Sequence, residues 1–279
     1  MIAHSNNQLK VEPKALYQEI IVQAVPFIIL GAGITIFMLI DQFTFFKVMK
    51  LATNYSNNML SDLYALFAVN ANKLIMITIS LSSALAITAV PLLSIALTNG
   101  DRREISRQNS NVLTLFLFVM IPAALGMCAI SGPLNRLFYG QAQQALGANL
   151  LTFSSIISIP MGLFVVTSAM MQGLSQNKRA VKFFAIGTIV KLIFQWPCIY
   201  YLGSFGPLIS TGLGLGVANW LIIRSLNRQF GFDRRMLDIG FRKIAKYSLF
   251  MYAASLMTVY AANFFYLNSS RIHLTESRV

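Results

Sequence analysis

Three ionisable residues stand inside otherwise apolar stretches of this 279-residue chain and are the first candidates for chemistry: Asp41, Lys73 and Lys191. An ionisable group within a membrane span faces the interior of the bundle or a wet cavity, because exposing it to lipid is costly. Lys191 follows Lys182 by nine residues, which at about 1.5 Å per residue places it roughly 13 Å into a helix. Thr188, Lys191, Gln195 and Cys198 recur at three- and four-residue spacing and share one helical face, with Gly187 at its edge; Ile189, Ile193 and Phe194 lie opposite. A polar stripe centred on a lysine fits the lining of a cavity that receives an anion; a structural lysine held by neighbouring carbonyls fits the same pattern. Lys73, Ser80, Ala84, Thr88 and Pro91 form a second small and polar line. It serves either a cavity or close helix packing.

Asp41 lies in "FMLIDQFTFF" (37–46). A straight span ending near residue 40 would put this carboxylate at a helix C-terminus, where the helix dipole disfavours it. A cation would offset that, and Lys73 begins the next span on the same side. An Asp41–Lys73 ion pair or charged rim at the outer mouth of a cavity is therefore expected, the alternative being an interfacial carboxylate in water. No glycine-rich phosphate loop is present, and carboxylates are too few and scattered for a paired acid–base site. His4 and His273 lie in terminal segments, and Cys128 and Cys198 have no metal-ligand spacing. The sequence points away from an enzyme and calls for no metal or cofactor.

The elements that must hold these groups are apolar helices. Hydrophobic residues make up 56% of the chain and charged residues 11%, with a mean hydropathy of +0.63; soluble domains carry about 25% charge. Crossing a bilayer takes roughly 20 mainly apolar residues per helix. Seven stretches qualify, near 20–40, 74–98, 110–132, 150–172, 182–203, 205–223 and 246–267. The expected fold is thus an all-α membrane protein, a bundle of about seven transmembrane helices. "GSFGP" (203–207) makes the fifth and sixth an antiparallel hairpin. Five spans hold a proline, at Pro26, Pro91, Pro122, Pro160 and Pro197, a residue that kinks helices and is common in transporter spans. Residues 1–19 are polar with no cleavage site after a short apolar core, so the first apolar run is read as a span.

The net charge of +13 is topological rather than a sign of nucleic-acid binding. Fifteen Lys and Arg, Arg102 and Arg103 among them, fall before span one and after spans two, four and six, against six on the other side. Basic residues gather in cytoplasmic loops, so the N-terminus is expected in the cytoplasm and the C-terminus outside.

The segments "AVPFIILGAGITIFMLIDQFTF" (24–45), "SSALAITAVPLLSIALTNGDRREI" (82–105), "IPAALGMCAISGPLNRLFYG" (121–140), "MMQGLSQNKRAV" (170–181) and "GPLISTGLGLGVANW" (206–220) together resemble the multidrug/oligosaccharidyl-lipid/polysaccharide flippase superfamily. The resemblance is to its polysaccharide-biosynthesis branch, with the MurJ-type and stage V sporulation protein B-like flippases, and runs over roughly residues 17–265. It implies one lobe, the second, of a two-lobed carrier whose substrate sits between the lobes. It also implies a division into a cytoplasmic segment (1–16), a six-helix lobe (17–227), a basic loop with one extra helix (228–267) and a short tail (268–279), in a truncated chain.

The implied activity is export of lipid-linked oligosaccharide or peptidoglycan precursors across a bacterial plasma membrane, without covalent chemistry. The substrate would be of the undecaprenyl-pyrophosphate type, and a first-lobe chain would be the partner. Lys191 would then contact the pyrophosphate or headgroup, with Ser80, Thr188 and Gln195 lining the cavity. Asp41 and Lys73 would form the outer gate, and Arg102 and Arg103 the cytoplasmic entrance. Two other readings stay open: a drug/cation antiporter fragment of the same superfamily, for which Asp41 is the one candidate carboxylate, and a non-transporting membrane scaffold or partner subunit.

Overall fold

A computed structural model describes the backbone of residues 13–140 and 144–276 and the side chains of 17, 20–22, 24–140 and 144–262. The expected N-terminal segment (1–16), with His4, and the tail (268–279), with His273, lie outside what is described at side-chain level. The described chain is all-helical. Its elements are α1 (Pro13–Gly31), α2 (Gly33–Ala52), α3 (Asn57–Ala65), a π-helical turn (Leu66–Ala71), α4 (Asn72–Thr98), α5 (Arg102–Ala129), α6 (Ser131–Tyr139), α7 (Gln144–Gly173), α8 (Asn177–Leu202), a 3₁₀ turn (Gly203–Phe205), α9 (Gly206–Gln229) and α10 (Arg234–Glu276).

Four helical segments are long and apolar enough to cross a membrane among the described residues: Asn57–Thr98, Arg102–Ala129, Gln144–Gly173 and Asn177–Gln229. A fifth is added if the bent pair Ile20–Gly31 and Gly33–Ala52 counts as one span. The count differs from seven for physical reasons. Residues 20–40 are not one straight span: "GAG" (31–33) bends the chain by 59°, the kind of sharp kink that glycines allow, and α2 then runs on to Ala52. The fifth and sixth expected spans form one long segment, Asn177–Gln229, that folds back at the 3₁₀ turn. The seventh, 246–267, lies within α10, partly beyond the described side chains. The basic residues Arg234, Arg235, Arg242, Lys243 and Lys246, expected before that span, already belong to α10.

α7 is the most enclosed of the long segments and packs against α4, α5, α6 and α9. Two of its inward hydroxyls bond on their own helix, Ser155 donating to the Leu151 carbonyl and Ser158 to the Ser155 carbonyl, each at 2.7 Å, while Ser154 and Ser168 are buried without a hydrogen-bond partner. A second device ties it to α9: Asn219 donates to the Pro160 carbonyl at 2.9 Å and accepts from Thr167 at 3.0 Å. Interhelical polar contacts of this kind help hold bundles together in lipid, where no hydrophobic force pulls helices together. The outside stays apolar, with Ile28, Phe43, Ile87, Phe118, Ile193 and Phe250 all exposed. Exposed apolar surface on this scale needs a membrane or a partner to cover it.

Candidate functional site

Lys191 is completely buried at the middle of α8. Its Nζ donates to Asp41 Oδ1 on α2 at 2.7 Å and to Thr211 Oγ1 on α9, and lies 4.9 Å from the centre of the Phe37 ring. One helical turn further on, Gln195 Nε2 donates to the same Asp41 oxygen at 2.7 Å and to Thr44 Oγ1 at 2.8 Å. Ser210 closes the array by donating to Gln195 Oε1. A charge without water is tolerable only when paired and hydrogen-bonded, and this lysine is both.

Backbone geometry sets the register. At Gly187 a Cβ would lie 2.5 Å from the Gly214 carbonyl oxygen, and at Gly214 one would lie 2.7 Å from that of Gly187. The two glycines let α8 and α9 touch backbone to backbone. One turn beyond that crossing, Lys191 faces Thr211, and Gln195 faces Ser210. On the other side, α2 packs against α8 and presents Phe37, Asp41 and Thr44 at helical spacing.

A cavity of about 50 Å³ adjoins the array, lined among others by Phe37, Asp41, Tyr64, Asn72, Met161 and Thr211. A water needs about 10–15 Å³ on this scale, so the cavity has room for a few. Asp41 borders it and keeps 13% of its side chain accessible, whereas the lysine side chain is wholly closed off.

Of the expected site residues, the structure brings Asp41, Lys191 and Gln195 together. The partner expected for Asp41 differs. Lys73 is exposed at the start of α4, and the carboxylate pairs with Lys191 instead. The reason is the bend at residues 31–33, which makes Asp41 a mid-helix residue of α2 rather than the end of a span. Thr188 is half-buried and donates to the Phe184 carbonyl of its own helix at 3.0 Å, outside the array. Ser80 is exposed and donates to the Ile77 carbonyl at 2.7 Å. Arg102 and Arg103 are exposed in the first turn of α5, where Asp101 caps the backbone N–H groups of Arg103 and Glu104. Phe37, Thr44, Ser210 and Thr211 escaped the sequence reading; the signals present were the i+3 spacing of Thr44 from Asp41 and the hydroxyl pair just after the hairpin turn.

The chain is 30% identical over 226 residues to the lipid II flippase MurJ of Bacillus subtilis (strain 168). Over that stretch it is similar to a MurJ-type flippase. The match takes in 80% of this chain and 41% of the relative, so the chain spans about two-fifths of that flippase's length. No family model and no solved structure matches it.

Proposed function

We propose that the chain is one lobe of a flippase for lipid-linked oligosaccharide or peptidoglycan precursors and works with a second lobe. The likeness to a lipid II flippase over four-fifths of the chain carries this reading. The geometry adds support. The line Lys73, Ser80, Ala84, Thr88 and Pro91 lies on the exposed side of α4, where a second body can close a shared cavity over it. In this proposal Lys73 and Ser80 belong to that cavity wall, and Arg102 and Arg103 mark a cytoplasmic entrance. The N-terminus is cytoplasmic, and the substrate is of the undecaprenyl-pyrophosphate type.

Lys191 takes a different part from direct headgroup contact. With its ammonium held by Asp41 and Thr211, it serves as a latch that fastens α2 to the α8–α9 hairpin, and it meets an anion only if those helices separate. The antiporter reading has Asp41 as its carboxylate. In this chain the Lys191 ammonium already occupies the place beside that carboxylate, which favours the flippase over a cation carrier.

Complementation in a bacterium depleted of its own lipid II flippase tests the proposal. Growth is expected when the chain is co-expressed with the part of the Bacillus subtilis relative that it does not cover, and no growth from either piece alone. Failure of the pair at stable membrane expression contradicts it.

A further inference from the structure

At the end of the bundle opposite the hairpin turn, α8 begins and α9 ends side by side. A pocket of about 500 Å³ opens there, and four of the residues lining it are Arg179 and Lys182 from α8 and Arg224 and Arg228 from α9. The spacing is i, i+3 on one helix and i, i+4 on the other, which aims each pair the same way. All four are exposed. No carboxylate among the described residues lies within ion-pair distance of any of them, the ion pairs found being Arg107–Glu104, Lys191–Asp41 and Arg242–Asp238.

An excess of cytoplasmic cations accounts for charge on this side of the chain but not for its convergence on one concavity. The helix dipole accounts for Arg224 and Arg228 near the C-terminus of α9, where cations are favoured. It works against Arg179 and Lys182, which stand in the first two turns of α8 at the positive end. Four like charges gathered around one hollow, two of them against the dipole, call for an anion. The pocket also carries apolar surface from Phe183 and Leu221. At its edge the Arg224 guanidinium lies 5.1 Å from the centre of the Trp220 ring, and the indole is exposed, as tryptophans are at membrane interfaces.

We infer that this pocket binds a phosphate headgroup of an anionic phospholipid. The four cations receive the phosphate, while Phe183, Leu221 and Trp220 meet the glycerol and the first methylenes. Basic pockets between helix ends on the cytoplasmic side are suited to such headgroups. The site stands apart from the Asp41–Lys191 array and does not depend on whether the chain flips anything. A soluble phosphate or pyrophosphate offers the same charge, but the apolar surface and the indole favour the lipid source.

Native mass spectrometry of the full chain in detergent, titrated with phosphatidylglycerol or phosphatidylcholine, reads the site. Phosphatidylglycerol is expected to bind at least about tenfold more tightly, an advantage that falls roughly tenfold or more in Arg179→Gln/Arg228→Gln. The same loss of charge outside the pocket, in Arg234→Gln/Arg235→Gln, leaves the preference in place. Equal loss in both double variants, no preference in the wild type, or displacement of the lipid by equimolar inorganic pyrophosphate overturns the inference. If the pocket variant does not fold, photo-crosslinking of a diazirine-bearing phosphatidylglycerol to the wild type decides. Adducts on peptides holding residues 179–183 and 220–228 support the site, and adducts confined elsewhere refute it.

Discussion

Lys191 sits in the middle of a membrane-spanning helix with Asp41, Thr211 and the face of Phe37 around its amine. Removing one partner of a buried ion pair leaves the other charge uncompensated and costs about 3–5 kcal/mol, whereas replacing both with apolar residues is often neutral. Lys191→Met and Asp41→Leu are therefore each expected to lower the melting temperature of the detergent-solubilised chain sharply, and the double variant to recover most of the loss. A double variant as unstable as the sum of the singles would show that the two are not coupled. Charge reversal separates the two pairings: Asp41→Lys with Lys191→Asp is expected to restore stability in part, and Asp41→Lys with Lys73→Asp to restore none. At this scale the sequence was half legible. The stripe carrying Lys191 and Gln195 could be read from helical spacing alone. The partner of Lys191 could not, because Asp41 lies 150 residues away and only the packing of α2 on α8 joins them.

Among the elements, the α8–α9 hairpin sets the geometry of the array. Its glycine crossing leaves no room for side chains, so Gly187→Val or Gly214→Val should force the helices apart and cost at least about 1–3 kcal/mol. Gly216 faces open space on the same helix, and Gly216→Ala should be neutral or stabilising by up to about 1 kcal/mol. Thermal unfolding in detergent checks both, and an equal effect at positions 214 and 216 would contradict the packing account. The hairpin was legible from "GSFGP", because so short a link leaves two helices no other arrangement. Its register was not: the mirror position of Lys191 about Ser204 lies more than a turn from Thr211, and it is the glycine contact that fixes the offset. The straight first span was misread for a related reason. Apolar composition continues across residues 31–33, and hydropathy does not register a bend.

For the whole molecule, composition settled the membrane class before any helix was placed, since an exterior carrying Ile28, Phe118 and Phe250 has no other stable setting than lipid or a partner. Composition did not settle which exterior faces meet lipid and which meet a second body. The faces of α4 and α8 pose that question most clearly: both are exposed, one bearing Ser80, Ala84 and Thr88, the other Leu192 and Ile193. If the chain is one of two bodies around a shared cavity, the first face meets water and the second meets lipid. The direct measurement is labelling by a water-soluble, membrane-impermeant maleimide of single cysteines at Ser80, Thr88 and Ile193, in a background lacking Cys128 and Cys198, with the second lobe co-expressed. Labelling at Ser80→Cys and Thr88→Cys and none at Ile193→Cys is the predicted result. Equal protection of all three would mean that α4 faces lipid, and would contradict the two-body account.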